Sequence, residues 1–262
     1  MVVHTVSRIE IDGRDATVDS LWSALGSGYG HFTAMQVRDR TVRGVDLHLA
    51  RLNEGSEALF GAGLDGDRVL ELIRHALGDD VRDASVRVYV LASESGIEPS
   101  VMLTVREPAT MPSTPQSLKS VPHQRSLAHI KHVGGFGQTY YRRLATQNGF
   151  DEALLVGADG VVAEGSRTNV GFVEGEAVVW PDAPALRGIS MQVLERELTK
   201  AGIPWARRSV RLGDIGSFDG AFITNARGIA PVGRVDDTVV PTDAPFVSTL
   251  MQMFDAAPWD PI

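Results

Sequence analysis

The stretch DEALLVGADGVVAEGSRTNVGF, residues 151–172, alternates short apolar runs with glycine-containing turns. Asp159-Gly160 separates two of these runs, and an Asp-Gly pair between apolar segments is a strong signal for a tight β-hairpin. A second hairpin is predicted directly afterwards, with its turn at Glu174-Gly175. This part of the chain is therefore predicted to be antiparallel sheet, and Glu164 stands just after one of its strands.

The first hundred residues show a different order of elements. Two alternating segments predict strands, and helical spacing follows in DLHLARLNEGSEALF, with Asp46 as the expected N-cap and Gly61 or Gly63 as the stop. A second amphipathic helix is predicted in GDRVLELIRHALGDD, and two further strands follow in ASVRVYVLAS and PSVMLTVRE. An antiparallel sheet with helices on one face is the expected packing.

Residues 107–118, EPATMPSTPQSL, contain three prolines among small polar residues, a composition typical of a linker. We therefore expect a small α+β domain over residues 1–112, a linker over 113–122 and a larger, strand-rich domain over 123–262. In the larger domain, helices are expected in GQTYYRRLATQNG and in SMQVLERELTKAG. Strands around Arg207, Phe222 and Val235 are expected to complete the chain.

Composition excludes several classes of function. The chain has 262 residues, a formal net charge of −8 and no cysteine. Disulfide scaffolds, thiolate metal sites and cysteine nucleophiles are therefore excluded, and we predict no metal site. An acidic chain is a poor candidate for binding nucleic acid or an anionic membrane. No apolar run approaches the roughly 20 residues of a membrane span, so we expect a soluble, cytoplasmic protein.

Lys131 stands in AHIKHVGGFG, residues 128–137, directly before a glycine-rich turn. Lysine ordinarily keeps its ammonium in water, so a surface position is one interpretation. The alternative is a lysine that points into a cavity, where burial or nearby charge favours its neutral, nucleophilic amine. The residue and its neighbours leave both interpretations open.

Three other polar positions carry similar alternatives. Glu164 either caps a turn or is a buried acid paired with a heterocyclic nitrogen, which needs a charged, hydrogen-bonded partner. His48 and Arg51 lie three residues apart and share a helix face. They either form a solvated basic face, or Arg51 grips a phosphate through its planar guanidinium.

Two segments could supply further anion contacts. Gly188, Ile189 and Ser190 stand at a predicted helix start, where free amides and the helix dipole favour an anion. Thr224 and Asn225 follow a predicted strand and could donate to the same anion, or form an ordinary Asx-type turn.

The order of these motifs is more specific than any one of them. HxxRL, the lysine, DEALLxxxxGxVxE, an asparagine, GI at a helix start and TN before PV occur in that order from Gly28 to Val235. This arrangement resembles the class IV, or fold type IV, pyridoxal-phosphate enzymes. These include branched-chain and D-amino-acid aminotransferases and aminodeoxychorismate lyase.

The resemblance implies a cofactor, pyridoxal 5'-phosphate, and a role for each motif. Lys131 would form the internal imine with the cofactor, and later act as the free amine that moves a proton. Glu164 would pair with the pyridinium nitrogen, and Arg51 would bind the phosphate. Further phosphate contacts are implied for the amides of Ile189 and Ser190 and for Thr224 and Asn225.

The resemblance also implies an architecture. A small α+β domain and a larger pseudobarrel domain would hold the cofactor between them. Members of this family are usually homodimers, so we expect a homodimer in which a neighbouring subunit closes part of the pocket.

The chain departs from the family at a few positions. Branched-chain aminotransferases carry a tyrosine five residues after the lysine, where this chain has Phe136. Met191 replaces the usual arginine after the GI helix start. The motif TNxxxxxPV, beginning at Thr224, is more similar to that of the aminodeoxychorismate lyases.

The early segment GYGHFTAM keeps the family's YG and F but not the acidic residues around them. Tyr29, His31 and Thr33 in this segment either line the substrate pocket or pack a strand.

Three functions follow from the resemblance. The first is an aminotransferase that moves an amino group from a small amino donor to a 2-oxo acid through the pyridoxamine form of the cofactor. The second is a lyase that acts on aminodeoxychorismate and releases pyruvate and 4-aminobenzoate. The third, a non-catalytic relative that only binds the cofactor, is disfavoured because the lysine is present. Appearance of the pyridoxamine form, and its reoxidation by a keto acid, would separate the first two.

Overall fold

The computed structural model describes residues 6–26, 28–93, 99–242 and 245–262, so the first residues of the expected small domain, 1–5, lie outside it. The chain divides into two compact units. The first contains the chain up to Ala109 together with Ile130–Gly134 and Pro258–Ile262, and the second contains Thr110–His129 and Gly135–Ala257. The Lys131 segment thus belongs to the first unit, although the sequence-based boundary groups it with the larger domain.

The first unit is an antiparallel sheet with helices. Its elements are β1 (Val6–Ile11), β2 (Arg14–Asp15), α1 (Val18–Gly26), β3 (Gly30–Val37), β4 (Thr41–Val42), α2 (Val45–Phe60), α3 (Gly66–Leu77), β5 (Ala84–Leu91), β6 (Ser100–Arg106) and β16 (Asp260–Pro261). Five strands form one sheet in the order β2-β1-β6-β5-β3, and β4 pairs separately with β16. The core lies where Leu52 of α2 and Ile73 of α3 meet sheet residues such as Val88 and Leu103.

Both predicted helices of this unit are present, with one difference at an end. Helix α2 begins after Gly44, whose left-handed backbone forms the N-cap, and not at Asp46, which lies in the first turn. The predicted stop at Gly61 is confirmed, since this glycine also adopts the left-handed conformation at the C-cap. Helix α1 was not predicted. Its exposed Val18 and Trp22 do not follow the pattern of a core-facing helix.

The second unit contains a nine-stranded mixed sheet and three α-helices. Its elements are β7 (Gln116–Pro122), α4 (Phe136–Gln147), β8 (Glu152–Val156), β9 (Val162–Gly165), β10 (Asn169–Glu174), β11 (Ala177–Pro181), α5 (Ile189–Ala201), β12 (Trp205–Arg208), a 3₁₀ helix (Leu212–Ser217), β13 (Gly220–Asn225), β14 (Gly228–Val235), β15 (Thr238–Val239) and α6 (Pro245–Ala256). The strand order is β12-β11-β10-β13-β14-β7-β8-β9, with β15 paired to β14.

Both hairpins predicted from glycine-containing turns are confirmed. Strands β8 and β9 pair antiparallel across the Asp159-Gly160 turn, and Leu155 lies opposite Glu164. Strands β10 and β11 pair antiparallel across the Glu174-Gly175 turn. Because β8 and β9 are buried along their whole length, Glu164 is held inside the sheet layer and not at an exposed turn.

Two segments differ from the sequence-based expectation. Strand β7 occupies most of the stretch predicted as a linker, where it pairs in parallel with β8 and β14. Buried Leu118 and Val121 lie within that strand. Helix α6 follows the last predicted strand, and its buried Val247, Leu250 and Phe254 show helical spacing. In the described ranges no helix is long and apolar enough to cross a membrane.

Candidate functional site

Lys131 is held by backbone pairing to β3 of the first unit. Its carbonyl accepts a hydrogen bond from the Phe32 N–H at 2.9 Å, and Val133 N–H donates to the Gly30 carbonyl at 3.0 Å. The ammonium nitrogen lies 4.9 Å from the centre of the Phe32 ring, and the residue is half-buried. The backbone of Lys131 is thus fixed beside β3, and its amine lies against the Phe32 ring.

The other two lysines of the chain are engaged at the surface. Lys119 forms an ion pair with Asp236 at 2.8 Å and is 41% exposed. Lys200 forms an ion pair with Glu197 at 2.7 Å and is 63% exposed. Lys119 also lies on a paired strand, and its Nζ is 5.6 Å from the centre of the Phe150 ring, so its ion pair with Asp236 is what identifies it as a structural lysine.

Arg51 begins a polar network beneath β3. Its Nη2 donates to Thr33 Oγ1 at 2.5 Å, and Thr33 Oγ1 lies 2.6 Å from His48 Nδ1. The Thr33 hydroxyl thus joins the guanidinium of Arg51 to the imidazole of His48. Burial, and then the charges of Arg51 and Lys131, lower the pKa of His48 well below its usual value, against the opposing effect of Asp46.

The guanidinium of Arg51 is only partly satisfied. Burial lowers its pKa to about 10, against the opposing effect of Glu54. Among the described residues no carboxylate forms an ion pair with Arg51, and its buried Nε has no hydrogen-bond partner. A buried charge without a counter-ion is costly, so this cation would be stabilised by an anion.

The three other predicted first-unit residues, Tyr29, His31 and Thr33, lie in different surroundings. His31 and Thr33 are 1% and 0% exposed, and His31 Nε2 lies 3.1 Å from Ser56 Oγ of α2. Burial and then Arg51 lower the pKa of His31 to about 4, so its ring is neutral at pH 7. Tyr29 is 47% exposed, and its hydroxyl donates to the Leu59 carbonyl at 2.9 Å. Tyr29 is thus the accessible member of the three.

Glu164 is a buried carboxylate in the second unit. It is 5% exposed, and its Oε1 lies 3.0 Å from Nη1 of Arg125. Its Oε2 accepts the backbone N–H of Leu186 at 3.2 Å. Arg125 is itself 9% exposed, and its Nη1 also lies 3.4 Å from the Ala128 carbonyl. The charge of Glu164 is therefore paired within its own unit, as the burial of a carboxylate requires.

The start of α5 is fixed by Asn169 of β10. The Asn169 side chain donates to the Leu186 carbonyl at 2.7 Å and accepts the Gly188 N–H at 3.1 Å. A Cβ at Gly188 would lie 2.1 Å from Asn169 Oδ1, so only glycine fits this approach. Ile189 and Ser190, both buried, form the first turn of the helix, where backbone N–H groups lack helical acceptors.

The turn after β13 is tied to the same helix start. Ser190 Oγ donates to the Asn225 carbonyl at 2.7 Å. Asn225 Oδ1 accepts the Arg227 N–H at 2.9 Å, which is the geometry of an Asx turn. Thr224 is fully buried, and its hydroxyl donates to the Gly228 carbonyl at 3.2 Å. The side chains of both predicted donors are thus engaged in shaping the turn.

The predicted site residues fall into two sets. The first unit holds Lys131, Arg51, Tyr29, His31 and Thr33, and the second holds Glu164, Ile189, Ser190, Thr224 and Asn225. Sequence reasoning missed Arg125, which stands in a polar segment without periodicity. It also missed the two hydrogen bonds by which Asn169 holds Leu186 and Gly188. The only sequence signal for Asn169 was its place in the order of motifs.

The first set provides an amine and a guanidinium whose Nε has no described partner, and the second provides a carboxylate and a helix start.

The family model described as Amino-transferase class IV matches residues 30–235. A putative branched-chain-amino-acid aminotransferase of Methanocaldococcus jannaschii is 23% identical over 249 residues. That alignment covers 88% of this chain and 86% of the relative.

Two solved structures have the same fold. A branched-chain aminotransferase from Thermoproteus uzoniensis, solved with norvaline, has a TM-score of 0.84 at 19% identity and covers 96% of this chain and 94% of its own. A hypothetical aminotransferase from Mycobacterium tuberculosis in its PLP-bound form has a TM-score of 0.81 at 19% identity, with 95% and 98% covered. These likenesses confirm the predicted fold class, a small α+β domain plus a larger pseudobarrel domain.

Proposed function

This chain belongs to the class IV aminotransferases, and we propose that Lys131 is the amine through which it binds its cofactor. The chain is an enzyme, and the cofactor of its family is pyridoxal 5'-phosphate, which when bound withdraws electrons from the Cα–H bond of an amino substrate. The observation that carries the proposal is the placement of Lys131 Nζ on the Phe32 face by backbone pairing. Both other lysines are engaged in surface ion pairs.

We propose that Arg51 binds the phosphate. Its Nε is buried without a partner, and Thr33 holds Nη2, so an anion would complete the coordination of the guanidinium. The backbone amides of Ile189 and Ser190 and the turn at Thr224-Asn225 are proposed as further donors to the same group. The Ser190–Asn225 hydrogen bond supports this, since it joins the helix start to the turn.

Glu164 is proposed to accept a hydrogen bond from the ring nitrogen. Its carboxylate is buried and held in one orientation by Arg125 on one oxygen and by the Leu186 N–H on the other. An ionised Glu164 would hold a proton on that nitrogen.

Lys131 is proposed to move the proton of the reaction. Its Nζ, freed when an amino substrate takes its place, would accept the proton from the substrate Cα and deliver it to the cofactor carbon that carried the aldehyde. A lysine performs this task best when its pKa lies near the working pH.

We propose that the reaction moves an amino group between an amino acid and a 2-oxo acid. The relatives from M. jannaschii and T. uzoniensis are named as branched-chain aminotransferases, which makes aliphatic amino acids the first substrates to test. Tyr29, half-exposed beside Phe60, is the proposed substrate contact of the first unit.

A lyase activity on aminodeoxychorismate is the second candidate. It is favoured by the TNxxxxxPV wording from Thr224 and by Phe136, which lacks the tyrosine hydroxyl of branched-chain aminotransferases. A cofactor-binding relative without activity is disfavoured by the fixed position of Lys131.

We also propose a homodimer. Phe136, Tyr140 and Leu144 lie four residues apart on α4 and are 83%, 53% and 39% exposed. Residues at this spacing share one face of a helix, and an exposed apolar face of this kind is typical of an interface. A second copy of the chain is the proposed occupant. Light scattering should give a mass twice that of one chain. In the Phe136→Glu variant the measured mass should fall towards that of a single chain.

A spectral screen tests the proposed activity. Protein loaded with pyridoxal 5'-phosphate is mixed with amino acids of both hands, simple amines and aminodeoxychorismate. An aminotransferase loses its visible band with one amino donor and regains it with a 2-oxo acid. A lyase instead accumulates pyruvate while the band persists. The Lys131→Ala protein should lack the band, and Lys200→Ala is the matched control that retains it. A band that survives in Lys131→Ala would contradict the proposal.

A further inference from the structure

The ion pair between Arg125 and Glu164 has both of its side chains almost removed from solvent. The side chains are each 6% exposed, and Oε1 lies 3.0 Å from Nη1. The three segments involved are far apart in sequence: Arg125 follows β7, Glu164 lies on β9, and Leu186 precedes α5. A contact built from three separate segments holds the carboxylate in one orientation.

We propose that Arg125 is a positioning residue for Glu164, which keeps this carboxylate ionised and weakens its hold on the ring nitrogen proton of the cofactor. The proposal rests on the function proposed above for Glu164. It adds a residue that touches neither the substrate nor the reacting atoms.

The first step of the argument is the cost of burial. A carboxylate removed from water without a counter-charge takes up a proton, because the low dielectric disfavours its ionised form. A protonated Glu164 could not stabilise a protonated ring nitrogen. Arg125 opposes this, since a cation 3.0 Å from the carboxylate favours the ionised acid.

The second step concerns how strongly the carboxylate attracts a proton. Arg125 and the Leu186 N–H already draw on the negative charge of Glu164, one on each oxygen. A carboxylate that is shared with a cation is a weaker base than an isolated one.

Other titratable groups near the pair must be separated from this effect. His123 lies two residues before Arg125, and burial followed by the charge of Arg125 lowers its pKa. Arg125 contacts Glu164 through an ion pair, and Leu186 contacts it through a backbone N–H. Titrations are therefore repeated in a His123→Gln background, which removes the imidazole.

The main test is the pH titration of the visible band of the loaded protein. Arg125→Gln removes a nearby cation, so the midpoint should rise by roughly one pH unit. Arg125→Lys restores the charge and should bring the midpoint back towards wild type. Arg207→Gln is the matched control, because it removes an arginine from another buried carboxylate, Glu195, and should leave the midpoint unchanged.

A second pair of variants serves if Arg125→Gln does not fold. Glu164→Gln leaves the arginine without its carboxylate, whereas Arg125→Gln/Glu164→Gln replaces both ions with amides. Because Arg125 acts through Glu164, the two variants should titrate at nearly the same pH. A clear difference between their midpoints, or an unchanged midpoint in folded Arg125→Gln, would overturn the proposal.

The apoprotein gives an independent readout. Without cofactor, Arg125→Gln leaves Glu164 buried and unpaired, so its unfolding temperature should fall by several degrees, and loading should recover part of the loss. An unchanged apoprotein stability would contradict the buried pair. A wild-type protein without a Lys131-dependent band would instead refute the proposed function, so the two failures are distinguishable.

Discussion

Arg51 in the first unit and Glu164 in the second carry opposite charges in contrasting surroundings. Arg51 meets a neutral hydroxyl, and its buried Nε has no partner among the described residues. Glu164 has a cation on one oxygen and a backbone donor on the other. The arginine would therefore gain more from a ligand than the glutamate would. We expect the phosphate to contribute most of the cofactor affinity, and Glu164 to act mainly on the protonation state of the ring.

The largest expected effect is at the unsatisfied cation. Arg51→Gln should weaken binding of pyridoxal 5'-phosphate by about 100-fold, because loss of a buried charged contact costs on the order of 2–5 kcal/mol. Binding of pyridoxal, which lacks the phosphate, should hardly change. Equilibrium titration of the apoprotein with both ligands measures the difference. Equal losses of affinity for the two ligands would contradict a contact between Arg51 and the phosphate.

A smaller loss is expected at the paired anion. Glu164→Gln should weaken cofactor binding by about tenfold, corresponding to one hydrogen bond to a charged group. Here pyridoxal and pyridoxal 5'-phosphate should be affected alike, since both carry the ring nitrogen. Glu174→Gln, at an exposed carboxylate, is the control. A loss of cofactor affinity larger than that in Arg51→Gln would contradict the expectation that the arginine contributes more to binding than the glutamate.

The hydroxyl that holds Arg51 should have a weaker influence. Thr33→Val keeps the shape but removes the contact to Nη2, so phosphate-dependent affinity should fall by about fivefold, the value of one hydrogen bond. Thr33→Ser keeps the hydroxyl and should bind normally. The same two-ligand titration applies, and identical affinities for Val and Ser variants would count against this role.

The smallest expected effect concerns pH. His31 has a folded pKa of about 4, below its usual 6.5, so the unfolded state binds more protons between these values. Stability contributed by neutral His31 is present above pH 6.5 and is lost as the pH falls towards 4. Between pH 6 and 5 the loss should be about 1 kcal/mol. Urea unfolding across this range, compared with His31→Gln, measures it, and parallel curves for the two proteins would disprove it.

Local signals in the sequence were sufficient for several features. The Asp159-Gly160 hairpin depends on a turn of neighbouring residues, and the stop of α2 at Gly61 depends on one backbone conformation. The family motif also located Lys131 and Glu164 as candidate residues, whose roles remain proposals.

Features that depend on tertiary contacts escaped prediction. Arg125 meets Glu164 across 39 positions in sequence, so no local pattern could reveal the pair. Thr33 reaches Arg51 only because β3 packs on α2, and β7 is a strand only because it has partners on both sides. Helix α2 begins directly after Gly44, whose left-handed backbone forms the N-cap, whereas the sequence pattern favoured the polar Asp46 as the cap.

Trapping of the cofactor on a lysine tests the central claim most directly. The chain has three lysines, Lys119, Lys131 and Lys200, so reduction of the loaded protein with borohydride followed by peptide mass spectrometry has few possible outcomes. We predict one pyridoxyl group per chain, on the peptide that contains Lys131. A label on either surface lysine with Lys131 unmodified, or no label on a protein that shows the visible band, would contradict the account.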